Sequence, residues 1–163
     1  MKSKSSQQTS NPKRLNRMTI LRVKQATTAD EIADINNLRA AVFIREQGVP
    51  PNIESDDFDA IAYHAIALLS KTTVGTGRLV ITEDGTTSIG RMAVDISHRR
   101  VGIGRQVLLF LEFYAIDLGS TLITLHAQSQ AVDFYLKNGY LVHGESFLEA
   151  GIEHVPMRKY LSG

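Results

Sequence analysis

A mixed α/β fold, one sheet with helices on its faces, is what the chain predicts, and three observations predict it. Short apolar runs such as Ile61–Leu69 and Leu122–Leu125 alternate with longer stretches whose apolar residues recur every three or four positions. The runs near 61–69, 73–81 and 88–95 are joined by short connections, one of them the turn Glu83-Asp84-Gly85, so three sequential antiparallel strands follow. A length of 163 residues with 43% apolar side chains suits one core and one domain.

Taken in order, the folded part is expected from Met18, with Thr19-Ile20-Leu21-Arg22-Val23 as the first strand. Asp30 opens a helix whose buried stripe is Ile32, Ile35, Leu38, Ala41 and Val42, and Gly48-Val49-Pro50-Pro51 ends it. An acidic loop, Glu54-Ser55-Asp56-Asp57-Phe58-Asp59, leads into the three antiparallel strands. After the last of these, Val107, Leu108, Leu111, Ala115 and Leu118 trace a second helix that closes at Gly119. Leu122-Ile123-Thr124-Leu125 is a buried strand. A shorter helix around Ala131, Phe134 and Tyr135 is capped at Asn138-Gly139, and final strands lie at Tyr140–Phe147 and His154–Tyr160. The order reads β-α-βββ-α-β-α-ββ.

Composition removes several function classes. With no Cys, there is no disulfide, thiolate metal site or cysteine nucleophile. His64, His126, His143 and His154 show no helical His-x-x-x-His spacing, so no metal is expected. No apolar run approaches the roughly 18 residues of a membrane span, and the N-terminus lacks the apolar stretch of a signal peptide, so a cytoplasmic protein is expected. Residues 1–17 carry Lys2, Lys4, Lys13, Arg14 and Arg17 and no acid, which leaves the remainder at about −4 out of a net charge of +1. This stretch lacks aromatic residues for base stacking and reads as a disordered basic tail, not a nucleic-acid arm. The expected division is therefore a tail at 1–17 and a single domain at 18–163.

The chemistry-bearing feature is the loop Arg99-Arg100-Val101-Gly102-Ile103-Gly104-Arg105, between a strand ending at Val94-Asp95 and a helix. Backbone N–H groups at a helix start suit an anion, glycines permit close approach, and three arginines add positive charge. A diphosphate is the natural occupant. A P-loop would need Lys-Ser or Lys-Thr after the last glycine, where Arg105-Gln106 stands, and a dinucleotide fingerprint would need a third glycine at Val107.

From Gly90 to Tyr140 the chain resembles the core of the GNAT acetyltransferase superfamily. Its acetyl-CoA motif, Arg or Gln, two residues, Gly, any residue, Gly or Ala, is matched by Arg99, Gly102 and Gly104. Arg91-Met92-Ala93-Val94 is similar to the family's central strand, and Ala131 to Tyr140 is similar to its second motif, with Tyr135 as the motif tyrosine. Gln128 stands where many relatives carry Asn. The likeness extends to an ElaA/YjcF-like subfamily through Arg39, Val42-Phe43, Glu46-Gln47, Glu54, Asp56, Asp59, His64, Leu125-His126-Ala127-Gln128 and the stretch from Gly144-Glu145 to Met157.

This resemblance implies a three-layer α/β/α fold whose sheet splays between its fourth and fifth strands to admit acetyl-CoA. Met92, Ala93 and Val94 would meet the pantetheine arm, and an amide around Ala93 or Val94 would face the thioester carbonyl. Arg99 to Arg105 would hold the diphosphate, and Gln128 and Tyr135 would complete the cofactor contacts. Tyr135 is the expected general acid toward the sulfur of CoA. For the general base, Glu54, Asp56, Asp57, Asp59 and His64 are candidates, with Glu54 and His64 leading and His126 and Glu145 as rivals. The acids suggest a cationic amine acceptor. The expected activity is acetyl transfer to a primary amine by direct attack, since no cysteine can carry an acyl group. An acyl-CoA-binding sensor without turnover is the alternative, and two copies could pair through sheet edges or C-terminal strands.

Overall fold

Strand β1 (Leu21–Gln25) runs into a helix whose start is fixed by two side chains. The Thr28 hydroxyl accepts from the Glu31 N–H at 3.2 Å and the Glu31 carboxylate accepts from the Thr28 N–H at 3.3 Å, a reciprocal capping box. Helix α1 (Ala29–Arg39) continues without a break as a π-helical segment, Ala40–Glu46. The expected single α-helix is thus wound more widely over its second half, a distortion that side-chain periodicity does not report. The computed structural model describes residues 19–162. The tail expected at residues 1–17 lies outside the described residues.

The acidic loop is partly helical: Pro51 starts the short α2 (Pro51–Glu54), and Asp56 caps a 3₁₀ turn at Asp57–Ala60. Strands β2 (Tyr63–Leu69), β3 (Thr72–Ile81) and β4 (Thr87–Val94) then form the expected antiparallel series. Helix α3 (Ile103–Asp117), strand β5 (Leu122–Gln128) and helix α4 (Val132–Lys137) follow. The final stretch differs from expectation. Instead of one strand at 140–147 there are two short ones, β6 (Leu141–Val142) and β7 (Phe147–Glu149), and both pair with the long β8 (Ile152–Tyr160). Gly144, at φ 127°, lies in the break between them.

The strands form one sheet in the order β1-β2-β3-β4-β5-β8-β6, antiparallel except where β4 meets β5. Alternation along β2 divides the molecule into layers: Ala65 and Ala67 join the α3-side core, while Ile66 packs with Ala26 and Ile35 on the α1 side. The larger cluster includes Val107, Leu108 and Leu111 of α3, each worth about 1.5–3 kcal/mol when buried. Helix α3 lies close on β3 because Gly77 has no side chain. A Cβ there would sit 2.5 Å from the Met92 sulfur and 2.9 Å from Leu111 Cδ1. The α1 side is closed by Leu38, Val42 and Phe43 against Ala93.

Candidate active site

Strands β4 and β5 are neighbours, yet they share a single paired position, Ser88 with Thr124. Beyond it the ladder stops, leaving one edge of β4 open along Gly90 to Val94. A bulge sits on this edge: between the pairs Arg78–Gly90 and Thr76–Ala93, β4 carries Arg91 and Met92 against Gly77 alone. Arg91 occupies the left-handed region at φ 51°, which costs a non-glycine residue about 1–2 kcal/mol. Below the bulge, the Asp95 N–H donates to the Val74 carbonyl at 2.9 Å. Bonded and non-bonded pairs alternate in an antiparallel ladder, so the Val94 amide turns away from β3 into the gap and the Ala93 amide turns back toward Thr76. Of the two expected amide donors, Val94 is the one on the open side. Its carbonyl, facing the same way, accepts from Arg99 Nε at 2.9 Å.

At the foot of the gap, Gly102 is the N-terminal cap of α3 at φ 90°, a conformation L side chains avoid. It supplies no capping side chain, and the first turn carries no acid. The leading N–H groups of a 15-residue helix are therefore open beside the split. Gly104 faces Phe134 and Val94, and a Cβ there would lie 3.6 Å from each. Arg99 is held to Glu46 by bonds of 2.8 and 3.1 Å, which ties the loop to the end of the π segment. Arg100 and Arg105 are exposed and form no ion pair among the described residues.

Tyr135 lies on α4, 7% exposed, with its ring edge-on to Phe134 at 5.0 Å and to Tyr140 at 5.7 Å. Burial pushes its hydroxyl well above the ordinary phenol range, so it stays protonated at neutral pH. That hydroxyl makes no hydrogen bond to a described residue. Gln128, at the end of β5, donates to Gln47 at 2.8 Å and so links the far lip of the gap to the π segment's end.

The acidic loop is placed differently from its expected role. Glu54 bonds Arg39 Nε at 2.5 Å, and both side chains are withdrawn from water. Asp59 binds Arg39 and Arg78, and Asp56 binds Arg78 through both oxygens, at 2.7 and 2.8 Å. Arg91 completes the cluster, donating to the Glu54 carbonyl at 3.0 Å and to Asp56 at 3.3 Å. Hydrogen bonding from Arg78 lowers the Asp56 carboxyl. For Asp59, burial acts to raise it, and the bonds from Arg39 and Arg78 outweigh that and hold it far below its ordinary range. Three acids, Glu54, Asp56 and Asp59, thus face three arginines, Arg39, Arg78 and Arg91, and are spent on one another. Asp57 is exposed, outside the cluster. His64 is buried on β2, with Nε2 3.0 Å from the Asp59 carbonyl oxygen.

Sequence reasoning missed Arg78 and Arg91 as the partners of these acids. The available signal was an arginine inside each of two apolar strand runs opposite an acid-rich loop, since a buried cation needs a counter-charge. Among the described residues, no group of three or more potential ligands is placed to hold a metal ion, and no helix is long and apolar enough to cross a membrane.

Residues 31–161 match a family described as the acetyltransferase (GNAT) domain. The chain is 38% identical over 135 residues to the uncharacterized N-acetyltransferase YjcF of Bacillus subtilis, covering 82% of this chain and 96% of that one. The crystal structure of Escherichia coli ElaA superposes with a TM-score of 0.77 at 21% identity, over 86% of this chain and 99% of that one. A GNAT family acetyltransferase from Elizabethkingia anophelis, solved with acetyl-CoA bound, gives a TM-score of 0.70 at 16% identity, over 86% and 98%. At these identities the two structures speak to the fold alone.

Proposed function

The chain belongs to the GNAT acetyltransferase family, in its ElaA/YjcF-like subfamily, and on that premise we propose that it transfers acetyl from acetyl-CoA to a primary amine by direct attack. The observation that carries this reading is the uncapped start of α3, opened by left-handed Gly102 at the foot of the β4–β5 split. A bound diphosphate would satisfy the free N–H groups and meet the helix dipole, with Arg100 and Arg105 adding charge. The acetyl-CoA in the Elizabethkingia structure supports the choice of ligand.

Bound there, acetyl-CoA would supply an acetyl group already activated as a thioester. The chain's own part is positioning, charge stabilisation and proton transfer. The Val94 amide, unpaired on the open edge of β4, is assigned to the cofactor, with Met92 and Ala93 shaping the strand. The bulge at Arg91 is held by the guanidinium's bonds to α2 and Asp56, so the buried cluster acts as a brace for this edge. In this reading Glu54 and His64 are parts of that brace, because each is committed to a partner inside it. Tyr135, kept protonated by burial, donates its hydroxyl proton to the departing sulfur.

The test is to incubate the protein with acetyl-CoA and a panel of primary amines and follow free thiol. Amine-dependent thiol release supports the reading. Acetyl-CoA binding with no amine consumed favours an acyl-CoA sensor on the same fold.

A further inference from the structure

We propose that the acceptor amine is received on the α1 face of the split, in a subsite made by His126, Phe147, His154 and Glu149, with His126 taking the amine's proton. The proposal rests on the acetyltransferase reading above and assigns what that reading leaves open, the second substrate and its base.

Alternation along β5 sends Ile123, Leu125 and Ala127 into the α3-side core and leaves Thr124, His126 and Gln128 on the opposite face. The antiparallel register with β8 places Arg158, Pro156 and His154 beside those three in turn, on the same face. Strand β7 then sets Phe147 opposite His154. The outcome is an aromatic wall: the Phe147 ring meets His126 edge-on at 4.8 Å and stacks on His154 at 5.9 Å. His154 turns Nδ1 back to the Ile152 carbonyl at 2.7 Å, which leaves Nε2 facing the half-exposed Glu149 carboxylate at 3.7 Å.

His126 differs from the other four histidines in having neither ring nitrogen engaged by a described residue. His64 bonds the Asp59 carbonyl, His98 bonds Asp95, His143 meets Arg158, and His154 bonds Ile152. His126 is also exposed. Its position is set by the one β4–β5 pair: two residues beyond Thr124, it is level with Gly90, two residues beyond Ser88. Ile89 points into the α3-side core, so Gly90 faces the α1 side, and a Cβ built there would meet nothing within 4 Å. The space over Gly90 is therefore open on the face of the sheet that carries His126.

A primary amine arrives mostly as an ammonium ion and must lose a proton before its lone pair can react. Phe147 offers a ring face and Glu149 a counter-charge for the cation, and Phe147 with Pro156 gives an apolar surface for the group bearing the nitrogen. The substrate class is thus a primary amine on an apolar or aromatic body. One ammonium proton passes first to His126; the freed lone pair then forms the N–C bond, and the C–S bond breaks as the tetrahedral adduct collapses. Tyr135 gives its proton to sulfur and is restored by the second amine proton. The products are an amide, a thiol and the proton on His126, which returns to water. The charged and titratable groups on the face that carries His126 are His154 and Arg158 of β8 and Glu149 of β7, with His143 beside Arg158, while on β4 the Arg91 guanidinium is turned to Glu54 and Asp56.

The test uses 2-phenylethylamine and its neutral counterpart 2-phenylethanol on the full chain. Without acetyl-CoA, the amine should shift the imidazole NMR signals of His126 and His154, and the alcohol should not. With acetyl-CoA, His126→Ala and His126→Gln should each lower kcat/KM about 100-fold or more and abolish the acid limb of its pH profile, with acetyl-CoA affinity within about twofold of the parent. Glu149→Gln should raise KM for the amine about tenfold and leave kcat within about twofold. Unmoved His126 and His154 signals, or a His126 variant retaining kcat/KM within about threefold of the parent, would overturn the subsite. Failure of the parent protein to release thiol with any amine would instead overturn the acetyltransferase reading, and the NMR titration would still judge the subsite by itself.

Discussion

Arg39 Nε lies 2.5 Å from Glu54 Oε1, and the two side chains keep only 1% and 7% of their surface in water. A carboxylate in that position is spent on its guanidinium. Glu54→Ala would strand part of a buried cation and should cost about 3 kcal/mol or more in urea unfolding. Glu54→Gln, which keeps the shape, should cost less and should leave the folded protein's kcat within severalfold. A Gln variant of parental stability but with kcat lowered 100-fold would return Glu54 to the role of proton acceptor.

Gly104 tests whether the loop is shaped for the protein or for a ligand. A Cβ at this position meets Phe134 and Val94 at ordinary contact distance, so Gly104→Ala should fold with stability within about 0.5 kcal/mol of the parent. Its added methyl group narrows the approach to the α3 N-terminus, and calorimetry should find acetyl-CoA affinity reduced about tenfold. Unchanged affinity would place the diphosphate elsewhere.

Tyr135→Phe removes one hydroxyl that bonds no described residue, so the fold should tolerate it. Steady-state kinetics should show kcat lowered about 100-fold, and acetyl-CoA affinity should stay within about twofold. Equal kcat for the two proteins would mean that the sulfur takes its proton from another source.

Acid should loosen the brace. Hydrogen bonding from Arg78 lowers Asp56; for Asp59, burial is outweighed by its bonds from Arg39 and Arg78; and Glu31 is lowered to about 2, chiefly by its bond to Lys24. A carboxyl lowered in the folded state adds stability that is fully present above its unfolded value, about 4, and is lost as pH falls through the folded value. Chemical denaturation should therefore find these contributions constant from pH 7 to about 5 and falling below about 4 toward pH 2 and beyond. Asp59→Asn should flatten the slope; an unchanged slope would contradict the ion cluster.

Much of this arrangement was legible in the residues. Periodicity gave the strands and α3, because a buried stripe such as Val107, Leu108, Leu111 and Ala115 leaves a direct record in spacing. The glycines of the Arg99 to Gly104 loop signal a strand-to-helix turn, and the structure has left-handed Gly102 at the start of α3. The acids at 54, 56 and 59 looked free because their partners, Arg39, Arg78 and Arg91, come from three separate elements that only the folded chain brings together. The same holds for His126, whose ring nitrogens bond no described residue where β5, β7 and β8 meet. The π segment and the break between β6 and β7 depend on local backbone geometry that an apolar pattern does not encode.

Acetyl transfer is measured by mass-spectrometric counting of products when the protein turns over acetyl-CoA with a primary amine. The prediction is one acetylated amine for each free CoA, formed faster than without protein and suppressed by Tyr135→Phe. Acetyl-CoA that binds the split yet yields no acetylated amine above the protein-free control would contradict it.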